Sequence, residues 1–180
     1  MAATLQVHDV LLVDKFAYRL SSPHDGDIAV FEPPVPSPDD FIKRVVGVPG
    51  DHVEVHNGTL YRNGKAVNEP YAKHADYTFT IANYDFVVDG VPLSPDVANI
   101  PPRSAWTSPD RLPANCYLMF GDNRNDSMDS HFWGCAQTSG TFASGQRKGA
   151  PAHFTGRADL LVLPLSRLRL LDRPVNDTTT

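Results

Sequence analysis

Lys43 lies in the middle of an apolar run, FIKRVVGV (41–48). An amine in that setting has two fates. It is a solvated edge lysine that discourages sheet-to-sheet pairing, or it is desolvated. Burial among Phe, Ile and Val disfavours the ammonium form, and a neutral amine can take a proton from a hydroxyl nucleophile, as in serine–lysine acyl transfer. Successive strand residues face opposite ways, so Lys43 and Arg44 diverge and one of them is set against an apolar surface. The second dense stretch is GDNRNDSMDSHFWG (121–134). Here Asp122, Arg124, Asp126, Asp129 and His131 surround Ser127 and Ser130. Read plainly, it is a polar turn held by an ion pair and Asx bonds. Read chemically, Asp/Arg pairs lock a backbone on which a serine hydroxyl orients a neighbouring amine. The carboxylate spacing lacks the calcium-loop pattern and its terminal glutamate, so no metal and no cofactor is expected. Thr4 is a further hydroxyl near the start, but threonine beside a strand is ordinarily a β-former.

These residues need elements to carry them. The chain has 180 residues and 16 prolines, spread so as to forbid long helices and favour strands joined by turns. VLLVDKFAYRL (10–20) reads as one or two strands, and IAVF (28–31) as a short buried one. EPPVPSPDD (32–40) is a proline-rich loop leading into the strand of Lys43. VEV (53–55), TLYR (59–62) and KAV (65–67) are separated by Asn57-Gly58 and Asn63-Gly64, which favour type I′ hairpins and predict a meander. CYLMF (116–120) predicts a strand running straight into the polar stretch. GRADLLVLPL (156–165) predicts a last strand, and SRLRLL (166–171) one helical turn on its end. The expected organisation is a β core of 1–67 and 113–171, an inserted, irregular β cap lobe of 68–112, a mobile loop near 135–151 and a disordered tail of 172–180.

A formal charge of −5 argues against a nucleic-acid partner, which needs a basic stripe to meet phosphates. No apolar run approaches the length of a bilayer span. VLLV (10–13) and Trp133 either touch lipid or lie in the core; the core is the favoured expectation for both. Cys116 and Cys135 form either one bridge or two buried thiols; thiols are the favoured expectation.

Taken together and in order, these stretches resemble type I signal peptidase, the serine–lysine endopeptidase that removes secretory leaders. FIKRVVGVPGD is similar to that family's lysine box, GDNRNDSMDSHFWG to its box with the pattern G-D-N-R-x-x-S-x-D-S, and FTGRADLLVLPLSRLRLL to its closing segment. The resemblance implies an all-β fold: a strongly bent antiparallel sheet core with an inserted β cap. It implies Lys43 as general base, Ser127 as the hydroxyl that orients it, and Asp122, Arg124 and Asp129 as a salt-linked scaffold, with His131 where many relatives carry arginine. Met1-Ala-Ala-Thr4-Leu5 fits the family's S-M-x-P-T-L box from its second position, with Ala3 in place of proline. The expected nucleophilic serine is then the residue before Met1, and this chain contains none at that position. The implied partners are preproteins carrying signal peptides and a membrane, reached through an upstream anchor that leaves the catalytic domain on the extracytoplasmic side. The alternative is an inactive relative that binds extended leader peptides without cutting them.

Overall fold

The computed structural model describes residues 1, 4–96, 98–137 and 154–171. The expected loop near 135–151 lies largely, and the tail of 172–180 entirely, outside the described residues. Two antiparallel sheets make up the fold. The first runs in the order β1 (Val10–Asp14), β12 (Phe154–Leu163), β2 (Ile28–Phe31), β3 (Phe41–Gly47), β10 (Cys116–Phe120) and β11 (Ala136–Gln137), with β13 (Arg169–Leu170) also paired to β12. Register shifts interrupt the β1–β12, β12–β2 and β3–β10 ladders, and such bulges bend a sheet and raise its local twist. The second sheet runs β6 (Lys65–Ala66), β5 (Thr59–Arg62), β4 (Val53–His56), β7 (Phe79–Ala82), β8 (Asp85–Val88) and β9 (Val91–Pro92).

The meander forms as its dipeptides predict. Asn57, Gly58, Asn63 and Gly64 have φ of 50°, 73°, 52° and 77°, the left-handed values a type I′ turn needs at both central positions. The sheet then continues from β4 into β7. The hairpins of 53–66 therefore share a sheet with the strands of 79–92, across the expected boundary at 67/68.

The two sheets meet through β10, which is buried along its whole length. Cys116, Leu118 and Phe120 pack with Val53, Val55, Phe79 and Phe86 of the second sheet, while Tyr117 and Met119 pack with Phe31, Val45 and Trp133. This is the period-2 alternation of a strand covered on both faces.

Four expectations are corrected. Residues 17–20 form a helical turn, α1 (Ala17–Leu20), because four residues with apolar and aromatic members are too few to show a period. SRLRLL divides into a 3₁₀ turn (Leu165–Arg167) and the strand β13. Cys116 and Cys135 are joined as a disulfide, not kept as thiols. The β10–β11 pairing brings their Cα atoms to 5.2 Å, inside the range a bridge requires. Finally, Trp133 is buried, but Val10 and Leu12 of VLLV face outward, on the strand at the edge of the first sheet.

Candidate active site

Register explains why the two predicted stretches meet. Arg44 of β3 sits opposite Phe120 of β10, so the chain leaving β10 at Gly121 starts beside Lys43 and Arg44. It is then folded back on itself. The Gly121 amide donates to Asp129 Oδ2 at 2.8 Å, and the Met119 amide to Ser130 Oγ at 2.8 Å. Asp129 also caps the short helix α2 (Ser130–Trp133), accepting from the His131 amide at 3.2 Å, a standard way to satisfy free N–H groups at a helix start. These bonds bring Ser127 over Gly121.

Lys43 Nζ donates to Ser127 Oγ at 2.9 Å, across 84 residues of sequence. The amine is half-buried, with the ring of Phe41, two residues back on the same strand, 5.4 Å away. Burial holds the Lys43 pKa below its ordinary value, while Asp129, Asp122 and Asp126 pull the other way without reversing the shift. The α-amino group of Met1 is also lowered, first by burial and then by the charge of Lys43. The first residue is thus within electrostatic reach of that amine.

Arg44, on the opposite face, is the fully buried member of the pair. Its Nε and Nη2 grip Asp122 Oδ1 and Oδ2 at 3.0 and 2.9 Å, its Nη1 reaches the Gly26 carbonyl at 2.9 Å, and its guanidinium stacks 3.7 Å over Tyr71. Asp122 accepts a further bond from the Thr4 hydroxyl, tying the start of the chain to the same carboxylate. Arg124 turns away and pairs bidentately with Glu69 at 2.8 and 2.6 Å, its Nε holding the Gly121 carbonyl at 3.0 Å. Asp129 meets His131 Nδ1 at 2.5 Å, and the imidazole stacks on Tyr77.

Asp122, Arg124, Asp129 and His131 are all buried, and Asp129 pairs with His131, while the ion-pair partners of Asp122 and Arg124 among the described residues lie outside this set. Those partners are Arg44 and Glu69. Arg44, Glu69 and Thr4 were not among the predicted site residues. For Arg44 a signal existed, since a guanidinium alternating with a lysine in an apolar strand needs a buried anion, and the 121–134 stretch has carboxylates to spare. For Glu69, 55 residues from Arg124 in a stretch read as an insertion, there was none. Among the described residues no group of three or more His, Cys, Asp or Glu is placed to hold a metal.

Gly121 gives a direct test of the packing. A Cβ there would stand 2.6 Å from the Ser127 Cβ, closer than atoms can approach. Gly121→Ala is expected to push Ser127 off Lys43 and to destabilise by about 1–3 kcal/mol, the usual range for overpacking. Loss of the Lys43–Ser127 contact in an amine-detected NMR spectrum checks it, and an intact contact would refute it.

Comparison with known proteins adds the following. A family model described as "Signal peptidase, peptidase S26" matches residues 1–146. A probable signal peptidase I-2 from Synechocystis sp. is 37% identical over 139 residues, covering 74% of this chain and 51% of the relative. A signal peptidase I from Leptolyngbya laminosa is 33% identical over 181 residues, covering 97% and 70%. A signal peptidase IB from Staphylococcus aureus is 36% identical over 134 residues, covering 74% and 64%. The chain thus spans between half and about seven-tenths of the length of these relatives. A solved signal peptidase I from Enterococcus faecalis V583 has 28% identity and a TM-score of 0.40, covering 65% of this chain and 91% of that one. With most of its length matched by the family model and its two polar stretches folded into one buried cluster, the chain belongs to the signal peptidase I family.

Proposed function

We propose that this chain is the catalytic part of an endopeptidase that cuts signal peptides from preproteins, with Lys43 as general base and Ser127 as the hydroxyl that orients it. The observation that carries the reading is the 2.9 Å bond from the half-buried Lys43 amine to Ser127, with burial favouring the neutral amine. The nucleophile in this reading is a serine immediately ahead of Met1. Support comes from the Met1 amine, which senses the charge of Lys43, and from Thr4, which is bound to the carboxylate that Arg44 clamps. Neutral Lys43 takes the proton from the serine hydroxyl as its oxygen attacks the scissile carbonyl carbon. The resulting ammonium gives that proton to the departing amine, leaving an ester. Water, deprotonated by the same amine, then hydrolyses the ester.

The test is to place a serine ahead of Met1 and incubate the protein with a purified precursor carrying a signal peptide. Cleavage at the leader boundary is expected, together with its loss when that serine is alanine. A folded serine-bearing chain that binds the leader and leaves it uncut would establish the inactive alternative instead.

Signal peptidase I is a membrane-associated family, and no helix among the described residues is long and apolar enough to cross a membrane. We place the catalytic part on the extracytoplasmic face, resting on lipid through the β1–β12–β13 end of the first sheet. Val10, Leu12, Leu163, Leu165, Leu168 and Leu170 are exposed on or beside these strands, where Val10 pairs with Leu163, Leu12 with Leu160 and Leu160 with Leu170. Exposed apolar surface concentrated in this way marks an interaction site. Leu12→Asp with Leu165→Asp is expected to abolish co-flotation with phospholipid vesicles without changing the fold. Undiminished flotation of that variant would rule this face out.

A further inference from the structure

The closing segment SRLRLL has no part in the chemistry described so far, yet both its arginines reach the first residues of the chain. Arg169 Nη2 donates to the Thr4 carbonyl at 2.7 Å, and Arg167 Nη2 to the same oxygen at 3.2 Å. Arg167 Nη1 also bridges the two oxygens of Asp9 at 2.6 and 2.7 Å. Asp9 Oδ2 in turn accepts from the Gln6 amide at 2.8 Å, which closes a ring of bonds. The Asp9 carboxylate is almost wholly buried. On the other side, the amides of Thr4 and Leu5 fold onto the Met1 carbonyl at 2.9 and 2.8 Å.

We infer that Arg167 and Arg169 are positioning residues for the reaction: they form a latch on the Thr4 carbonyl that holds Thr4, Leu5 and the Met1 carbonyl they bond to in place relative to Lys43. The inference rests on the reading of Lys43 as base. Its physical basis is the distance between the parts. The N-terminal segment joins the sheet only at β1, which pairs with β12, whereas Lys43 is carried on β3, with β2 between. Without other restraint, the residues before Val10 would leave the group ahead of Met1 free to wander. Thr4 is instead fixed at two points. Its hydroxyl is on Asp122, held by the residue next to Lys43, and its carbonyl is held by two guanidiniums, Arg169 anchored through β13 to β12 and Arg167 carried on the 3₁₀ turn just before it. Bonds from charged donors are about twice as strong as neutral ones. A misplacement of about 1 Å between reacting groups costs about 10²-fold in rate.

The test compares Arg169→Ala, Arg167→Ala/Arg169→Ala and the conservative Arg169→Lys. In the chain as it stands, hydrogen exchange at the Thr4 and Leu5 amides is expected to speed at least about tenfold in the double variant, as local opening does; in Arg169→Ala, which leaves the Arg167–Asp9 pair intact, exchange there is expected to speed while the melting temperature stays close to that of the parent. In the serine-bearing chain, kcat is expected to fall about 10- to 100-fold with KM within about twofold, the mark of lost transition-state positioning. Arg169→Lys should recover part of the loss. Unchanged exchange at Thr4 and Leu5 overturns the latch, and so does faster exchange with unaltered kcat. If the serine-bearing parent does not cleave at all, it is the reading of Lys43 that fails, and the exchange result still decides the latch.

Discussion

Replacing Lys43 by alanine in the serine-bearing protein is expected to abolish precursor cleavage, a loss of several orders of magnitude in kcat. A nucleophile without its base falls back on residual catalysis from binding and the oxyanion hole, and losses of about 10⁴- to 10⁶-fold are typical of such units. The fold should survive, because Lys43 is only half-buried and its one strong bond is to a serine hydroxyl. The more telling variant is Lys43→Arg. It keeps the charge and can still donate to Ser127, but a guanidinium does not deprotonate in proteins. Inactive Lys43→Arg is therefore the expected result, measured by product formation on a purified precursor. Substantial turnover by either variant would show that some other group is the base.

Arg44→Ala is expected to have the largest effect on stability, about 3–5 kcal/mol, because it leaves Asp122 as an uncompensated buried charge. A typical domain has only about 5–15 kcal/mol in total. Lysine should rescue little, since the bidentate grip on Asp122 and the stacking on Tyr71 both need a planar guanidinium. A second variant separates stability from placement. Arg44→Met with Asp122→Leu replaces the pair by apolar groups, a change that is often neutral or stabilising, yet it removes the acceptor of the Thr4 hydroxyl. Denaturant unfolding should show stability largely restored while cleavage stays impaired. Restoration of both would mean that Asp122 serves the fold alone.

The strands were legible where pattern was local. Alternation and the two Asn-Gly turns fix the meander, and β-branched runs fix β2, β3 and β10. The partners of the polar cluster were less so. The contact between Lys43 and Ser127 spans 84 residues, and only the resemblance suggested it; neither stretch alone implies the other. Opposite facing of Lys43 and Arg44 follows from strand geometry, but which of them meets a carboxylate depends on the register Phe120 takes against Arg44. Glu69 and Tyr71 reach the site from a stretch with no motif, through tertiary packing that no spacing announces. The expectation of two thiols at Cys116 and Cys135 failed for a similar reason. Two cysteines 19 residues apart suit a bridge or two thiols until β10 and β11 are paired.

The central claim concerns one amine, and its titration tests that claim most directly. With lysine side chains isotopically labelled, the Lys43 signal should titrate below the ordinary value of about 10.4 for a lysine. The sign is fixed by burial, which favours the neutral form. Cleavage then rises with pH as Lys43 loses its proton. Native stability rises across the same interval, up to the unfolded value, because the unfolded chain holds the extra proton there. A Lys43 signal that titrates at or above the ordinary lysine value would contradict the assignment of Lys43 as the base.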